Sequence, residues 1–143
     1  MQVRTAMGGD AAGIAALIEV LGYPCTPDEA IERLRAIAAE PDQTLLVADR
    51  GGELCGLLGL DLMYYLPLGA RTCRITALVV APMHEGEGIG RELLQAAEVW
   101  GRQAGAARIE VTSAAHRDQA HAFYRACGYS DGALRFVKRL GDA

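Results

Sequence analysis

The stretch Pro82-Met83-His84-Glu85-Gly86-Glu87-Gly88-Ile89-Gly90-Arg91-Glu92-Leu93-Leu94 decides how this chain reads. An apolar run of β character, Ile75-Thr76-Ala77-Leu78-Val79-Val80, leads into it, and a strongly helical segment follows. Alternate glycines allow a tight turn and remove the Cβ atoms that hold a ligand off the backbone. A helix starting at about Gly88 aims its free amides and positive dipole end into that turn. The product is a site for an anion, above all a phosphate or diphosphate. Two familiar nucleotide sites are excluded. A P-loop needs Lys-Ser or Lys-Thr after its last glycine, whereas Gly90 is followed by Arg91-Glu92. A dinucleotide fingerprint starting at Gly86 needs glycine or alanine at position 91, which is arginine.

The spacing Glu85-x-x-Gly88-x-Gly90 instead resembles the (Arg/Gln)-x-x-Gly-x-(Gly/Ala) coenzyme A signature of the GNAT superfamily of N-acetyltransferases. A second segment, Ala120-His121-Ala122-Phe123-Tyr124-Arg125-Ala126-Cys127-Gly128-Tyr129, resembles that family's Ala-x-x-Phe-Tyr-x-x-x-Gly-(Phe/Tyr) element. Ala120, Phe123, Tyr124 and Cys127 recur at helical spacing, and Gly128 stands where a left-handed C-terminal cap belongs. Phe123 reads as core. Tyr124 has two readings: a core tyrosine whose hydroxyl finds a hydrogen bond, or a general acid that reprotonates a leaving thiolate.

With 143 residues, 51% hydrophobic and 22% charged, the composition is that of one ordinary globular domain, residues 1–143. The formal charge of −4 and the lack of a Lys/Arg cluster argue against a nucleic-acid partner. No run has the length of a membrane span or the pattern of a signal peptide, so a cytoplasmic location without membrane contact is expected. Cys25, Cys55, Cys73 and Cys127 form no Cys-x-x-Cys pair; they read as free thiols, and no metal site is expected.

Gln2 to Ala6 reads as a first strand, and Ile14, Leu17, Ile18 and Leu21 mark a helix ending near Gly22. Thr26-Pro27-Asp28-Glu29 combines an N-cap, a first-turn proline and a capping box, opening a helix that Pro41 stops. Gln43 to Ala48 and Glu53 to Leu66 form a hairpin around Asp49-Arg50-Gly51-Gly52. Arg74 to Val80 is the next strand, and the helix after the glycine turn closes near Gly105. Arg108 to Thr112 is a strand, His116 to Cys127 a helix and Leu134 to Leu140 a closing strand. The order is β-α-α-β-β-β-α-β-α-β, an α/β chain with a central mixed sheet and helices on both faces. In element order the resemblance covers the whole chain, and within the superfamily it lies with the bacterial aminoglycoside-acetyltransferase-like branch.

The resemblance implies acetyl-CoA as co-substrate, with no metal. Its pyrophosphate rests on the main-chain amides of Gly86, Glu87, Gly88, Ile89, Gly90 and Arg91, with Glu85 also in the coenzyme site, and side chains at Glu87 and Ile89 are less restricted than at Gly88 and Gly90. Its pantetheine arm lies beside Leu78, Val79 and Val80 like an extra strand. An amide of Val79 or Val80 polarises the acetyl carbonyl. Arg117 and Tyr124 complete the coenzyme site, with Tyr124 as the acid. The acceptor is a primary amine of a small molecule or peptide that attacks directly. Homodimerisation is common in the family.

Three positions depart from the pattern. Glu85 stands where arginine or glutamine is preferred, Arg74 where relatives often carry a glutamate base, and Ala114 where many have an asparagine. Asp61, His84, Glu110 and His116 are the remaining candidate bases, and Tyr64 and Tyr65 are candidates for the acceptor cleft. The alternative function is an acyl-CoA-binding regulatory or interaction module that has lost catalysis.

Overall fold

The computed structural model describes residues 1–112, 118–132 and 136–141. The chain forms two compact units, Met1–Val111 and Thr112–Ala143. The first holds a five-stranded mixed sheet: β1 (Gln2–Thr5), β2 (Gln43–Arg50), β3 (Glu53–Tyr65), β4 (Ala70–Val80) and β5 (Arg108–Val111). Neighbours run antiparallel except β4 and β5, which are parallel. Helices α1 (Ala11–Val20) and α2 (Pro27–Ala38) separate β1 from β2, and α3 (Ile89–Gln103) crosses over from β4 to β5.

The helix ends follow their local chemistry. Thr26 and Glu29 close the expected capping box reciprocally, at 3.1 Å and 2.9 Å. Helix α2 ends at Ala38, before Pro41. Helix α1 ends with Gly22 N–H donating to Glu19 O and Tyr23 N–H to Ile18 O, a Schellman closure.

The sheet is covered on both sides. Ile14, Leu17 and Ala30 pack with Leu45, Val47, Leu57 and Val79 on one face. On the other, α3 buries Ile89, Leu93, Leu94 and Ala97. Full burial of each large side chain is worth roughly 1.5–3 kcal/mol, so this stripe fixes α3 firmly. The approach is close because β3 carries Gly56 there. A Cβ at Gly56 lies 2.8 Å from Leu93 Cδ1 and 3.1 Å from Ile89 Cγ2.

Two strands differ from expectation. β4 begins at Ala70 rather than Arg74, pairing Ala70 with Tyr65 and Thr72 with Met63. Arg71 and Thr72 interrupt the apolar run, but they alternate: Arg71 reaches Asp42 at 2.8 Å while Thr72 is fully buried. The expected closing strand at 134–140 falls partly outside the described residues, and its described part, 136–140, forms no strand.

The second unit contains α4 (Asp118–Ala126). Gly128 N–H donates to Arg125 O and Tyr129 N–H to Tyr124 O, the left-handed closure that Gly128 signalled. The start expected at His116 lies outside the described residues. No described helix is long and apolar enough to cross a membrane.

Candidate functional site

The glycine turn joins a short 3-10 segment, Pro82–His84, to α3. Gly88 is the helix N-cap at φ +83°, and Gly86 has φ +80°. Side chains rarely adopt these angles, so the backbone itself requires glycine at both. A Cβ added at either meets nothing within 4 Å, so the space above the turn is open. The first rung of the helical ladder is Glu92 N–H to Gly88 O at 3.1 Å. The amides from Gly86 to Arg91 therefore make no backbone hydrogen bond among the described residues. Six donors stand together at a helix N-terminus, the arrangement that suits a diphosphate.

Gly90 lies inside the first turn of α3 with ordinary helical φ. The side chain of Ile89, expected to be little restricted, is 1% exposed and packs beside Gly56. Its burial is what pins the turn to β3. Glu85 and Arg91 are exposed and form no ion pair among the described residues.

Glu87 has partners that the sequence did not reveal. Arg50, at the tip of the β2–β3 hairpin, bonds Glu87 Oε1 through Nη1. His84 Nδ1 lies 3.2 Å from Glu87 Oε2, and His84 Nε2 lies 3.2 Å from Glu53 Oε1. Hydrogen bonds to Glu53 and then Glu87 raise the His84 pKa above the ordinary imidazole value of 6.5. Arg50, and secondarily His84, hold the Glu87 carboxyl below its usual range. The carboxylate within the turn itself is thus neutralised by two cations at low pH. His84 is engaged on both ring nitrogens, which argues against it as a base.

Beside the turn, β4 has a free edge. Its pairing with β5 runs only from Thr72–Arg108 to Ile75–Val111. From Thr76 to Val80 the strand has no neighbour on that side among the described residues. Ala81 N–H donates to Cys55 O at 2.8 Å, and Val79 pairs in register with Leu57. Antiparallel alternation then turns the Val79 amide toward β3 and the Leu78 and Val80 amides outward. Of the two expected carbonyl-polarising amides, Val80 faces the open edge and Val79 is committed to the sheet.

Further down β4, on the face that α1 and α2 cover, lies a charged row. Gln43 and Asp61 pair in register, as do Asp61 and Arg74, and Arg74 and Glu110. Arg74 Nε donates to Glu110 Oε1 at 2.8 Å, and Arg108 Nη2 lies 3.6 Å from Glu110 Oε2. Arg108 Nε also donates to the buried Thr72 hydroxyl at 3.0 Å, and its guanidinium sits 4.7 Å from the Tyr65 ring centroid. Tyr65 therefore faces this row, whereas Tyr64 is exposed. Glu110 is engaged by two guanidiniums. Asp61 is half-buried and makes no hydrogen bond or ion pair among the described residues.

On α4, Tyr124 is half-buried, with ring centroids of Phe123 at 5.4 Å and Tyr129 at 6.0 Å. Ala114, His116 and Arg117 lie outside the described residues. Cys25, Cys55 and Cys73 are buried free thiols, and Cys127 is half-buried. Burial, with a smaller contribution from Asp61, pushes the Cys73 thiol up to about 11.

Comparison with known proteins gives a consistent picture. A family model described as the acetyltransferase (GNAT) family matches residues 14–129. The chain is 37% identical over 101 residues to the aminoalkylphosphonate N-acetyltransferase of Salmonella typhimurium, covering 71% of this chain and 66% of that protein, just under two thirds of its length. It is 31% identical over 132 residues to the aminoglycoside N(6')-acetyltransferase type 1 of Stenotrophomonas maltophilia, covering 90% of this chain and 86% of that one. A solved transcriptional regulator from Bacillus halodurans superposes with a TM-score of 0.89 at 21% identity, covering 97% of this chain and 99% of that one. That last likeness is one of fold.

Proposed function

The chain belongs to the GNAT family of acetyltransferases, and on that premise we propose that it moves an acetyl group from acetyl-CoA to the primary amine of a small molecule. One observation carries this reading. The unpaired edge of β4, with outward amides at Leu78 and Val80, runs directly into six unbonded amides at Gly86 to Arg91. A long, thin anion with an extended amide-bearing arm fits that sequence of donors. The diphosphate binds the turn, and the arm pairs with the edge as an added strand. Arg91 is exposed and without an ion pair among the described residues, which supports a role for its guanidinium toward a phosphate. The family match runs from residue 14 to residue 129, which supports reading residues 1–143 as one acetyltransferase domain.

In the proposed reaction the neutral amine attacks the acetyl carbonyl carbon and forms a tetrahedral intermediate. The oxyanion is held by the Val80 or Leu78 amide, a contribution of roughly 2.7–4 kcal/mol per donor in well-studied acyl transfer. The carbon–sulfur bond then breaks, the nitrogen gives up its proton to solvent water, the thiolate takes one from the Tyr124 hydroxyl, and the tyrosinate regains its proton from solvent. The protein works mainly by positioning two substrates. The two named relatives support a small-molecule acceptor, one acting on aminoalkylphosphonates and the other on aminoglycosides.

The test follows thiol release from acetyl-CoA across a panel of small amines and peptides, then repeats it with Tyr124→Phe. Loss of general acid catalysis lowers kcat by about a hundredfold or more with little change in coenzyme affinity. An unaffected Tyr124→Phe enzyme removes Tyr124 from the mechanism. The engagement of His84 and Glu110 by other side chains favours a second reading, a coenzyme-binding module without catalysis. Tight coenzyme binding without turnover of any amine selects it.

A further inference from the structure

We propose that Asp61 anchors a second cationic group of the acceptor, so that the preferred substrates are amines carrying at least two positive charges. This rests on the acetyltransferase reading and names its substrate class. The argument begins with register. Asp61 and Arg74 stand directly opposite across β3 and β4, where Cβ atoms are about 5 Å apart and opposite charges ordinarily pair. Arg74 turns the other way. Its Nε binds Glu110, and Arg108 adds a second guanidinium to the same carboxylate. Arg108 is itself held by the Thr72 hydroxyl and by the Tyr65 ring. Both cations are thereby fixed on the β5 side.

Asp61 is left on the β3 side, half-buried and without a donor among the described residues. Its carboxylate oxygens are not buried, so the group stays open to an incoming ammonium and can form a charge-assisted hydrogen bond with it. Position supports the same role. Asp61 lies three residues along β3 from Leu58, which pairs with Leu78 at the open edge of β4. At about 3.3 Å per residue that is roughly 10 Å. The distance is too great for direct removal of a proton at the acetyl group, but it suits the far end of a diamine or amino sugar whose near amine reacts. Asp61 is therefore a specificity residue here and not the base.

The experiment compares three matched acceptor series with the intact protein and saturating acetyl-CoA: α,ω-diamines, the corresponding amino alcohols, and the corresponding aminoalkylphosphonates. The diamines should show KM values about tenfold lower than amino alcohols of equal length, the size of a charge-assisted contact. The advantage should peak at one chain length. Asp61→Asn should abolish the difference while leaving amino alcohol KM, kcat and coenzyme affinity within about twofold, and Asp61→Glu should keep part of it. Equal KM values for diamines and amino alcohols in the unmodified protein overturn the proposal, and that arm needs no variant to fold. A preference for the phosphonates overturns it too, and assigns recognition to Arg74 and Arg108. Coenzyme binding with no turnover of any amine contradicts the acetyltransferase reading itself, and this inference falls with it.

Discussion

In the proposed function, the glycine turn after β4 and the charged row across β3, β4 and β5 meet their ligands in opposite ways. The turn offers main-chain donors, and the carboxylate within it, Glu87, is restrained by Arg50 and His84. The row offers side chains, and its cations are the restrained groups, held by Glu110. A site made of backbone tolerates varied side chains but depends on φ. A site made of side chains tolerates backbone change but depends on charge. The first fits a co-substrate shared across a family, and the second an acceptor that differs among its members.

The largest expected effect breaks the turn and leaves the row alone. Gly88→Val places a β-branched residue at φ +83°, a strain of about 1–3 kcal/mol. The open turn relieves it by rearranging, which scatters the amides. Calorimetry should show coenzyme affinity falling by at least about tenfold. An unchanged affinity would mean that the conformation of Gly88 is not part of the site.

A smaller effect tests the restraint on Glu87. Arg50→Ala should weaken coenzyme binding by up to about fivefold, and adding Glu87→Gln in the same protein should restore it. If the second change does not rescue the first, Arg50 acts on something other than Glu87. Glu85→Arg should tighten binding by about twofold to fivefold, since it turns an exposed unpaired anion beside the turn into a cation. Weaker or equal binding would remove Glu85 from the electrostatics of the site.

The smallest effect is a pH dependence. His84 has a raised pKa, so its cation, and the stability it lends to this network, is fully present below 6.5 and is lost as pH rises through the raised value. Coenzyme affinity should decline by about twofold over that interval as Glu87 loses one of its two cations. The coenzyme's own phosphates also titrate near pH 6, so the comparison is with His84→Gln, in which the His84-dependent part of the decline should vanish. Identical profiles for the two proteins would show that His84 does not tune the turn.

What the sequence made legible follows the same division. The turn, the Thr26–Glu29 capping box and the closure of α4 at Gly128 are local, written in residues three to six apart. The row is not local: Asp61, Arg74 and Glu110 meet through strand register, which no spacing rule supplies. Arg50 was legible only as a turn residue, because its partner Glu87 lies 37 positions away. The early start of β4 was hidden because Thr72 is a polar residue fully buried. The choice of Val80 over Val79 needed the antiparallel hydrogen-bond phase, fixed by Ala81 and Cys55.

The most direct measurement is an amide-resolved spectrum of the isotope-labelled protein titrated with coenzyme A. The largest shifts and the strongest new protection from exchange should fall on the amides of Gly86 through Arg91. Saturable binding that leaves those six signals unmoved would contradict the account.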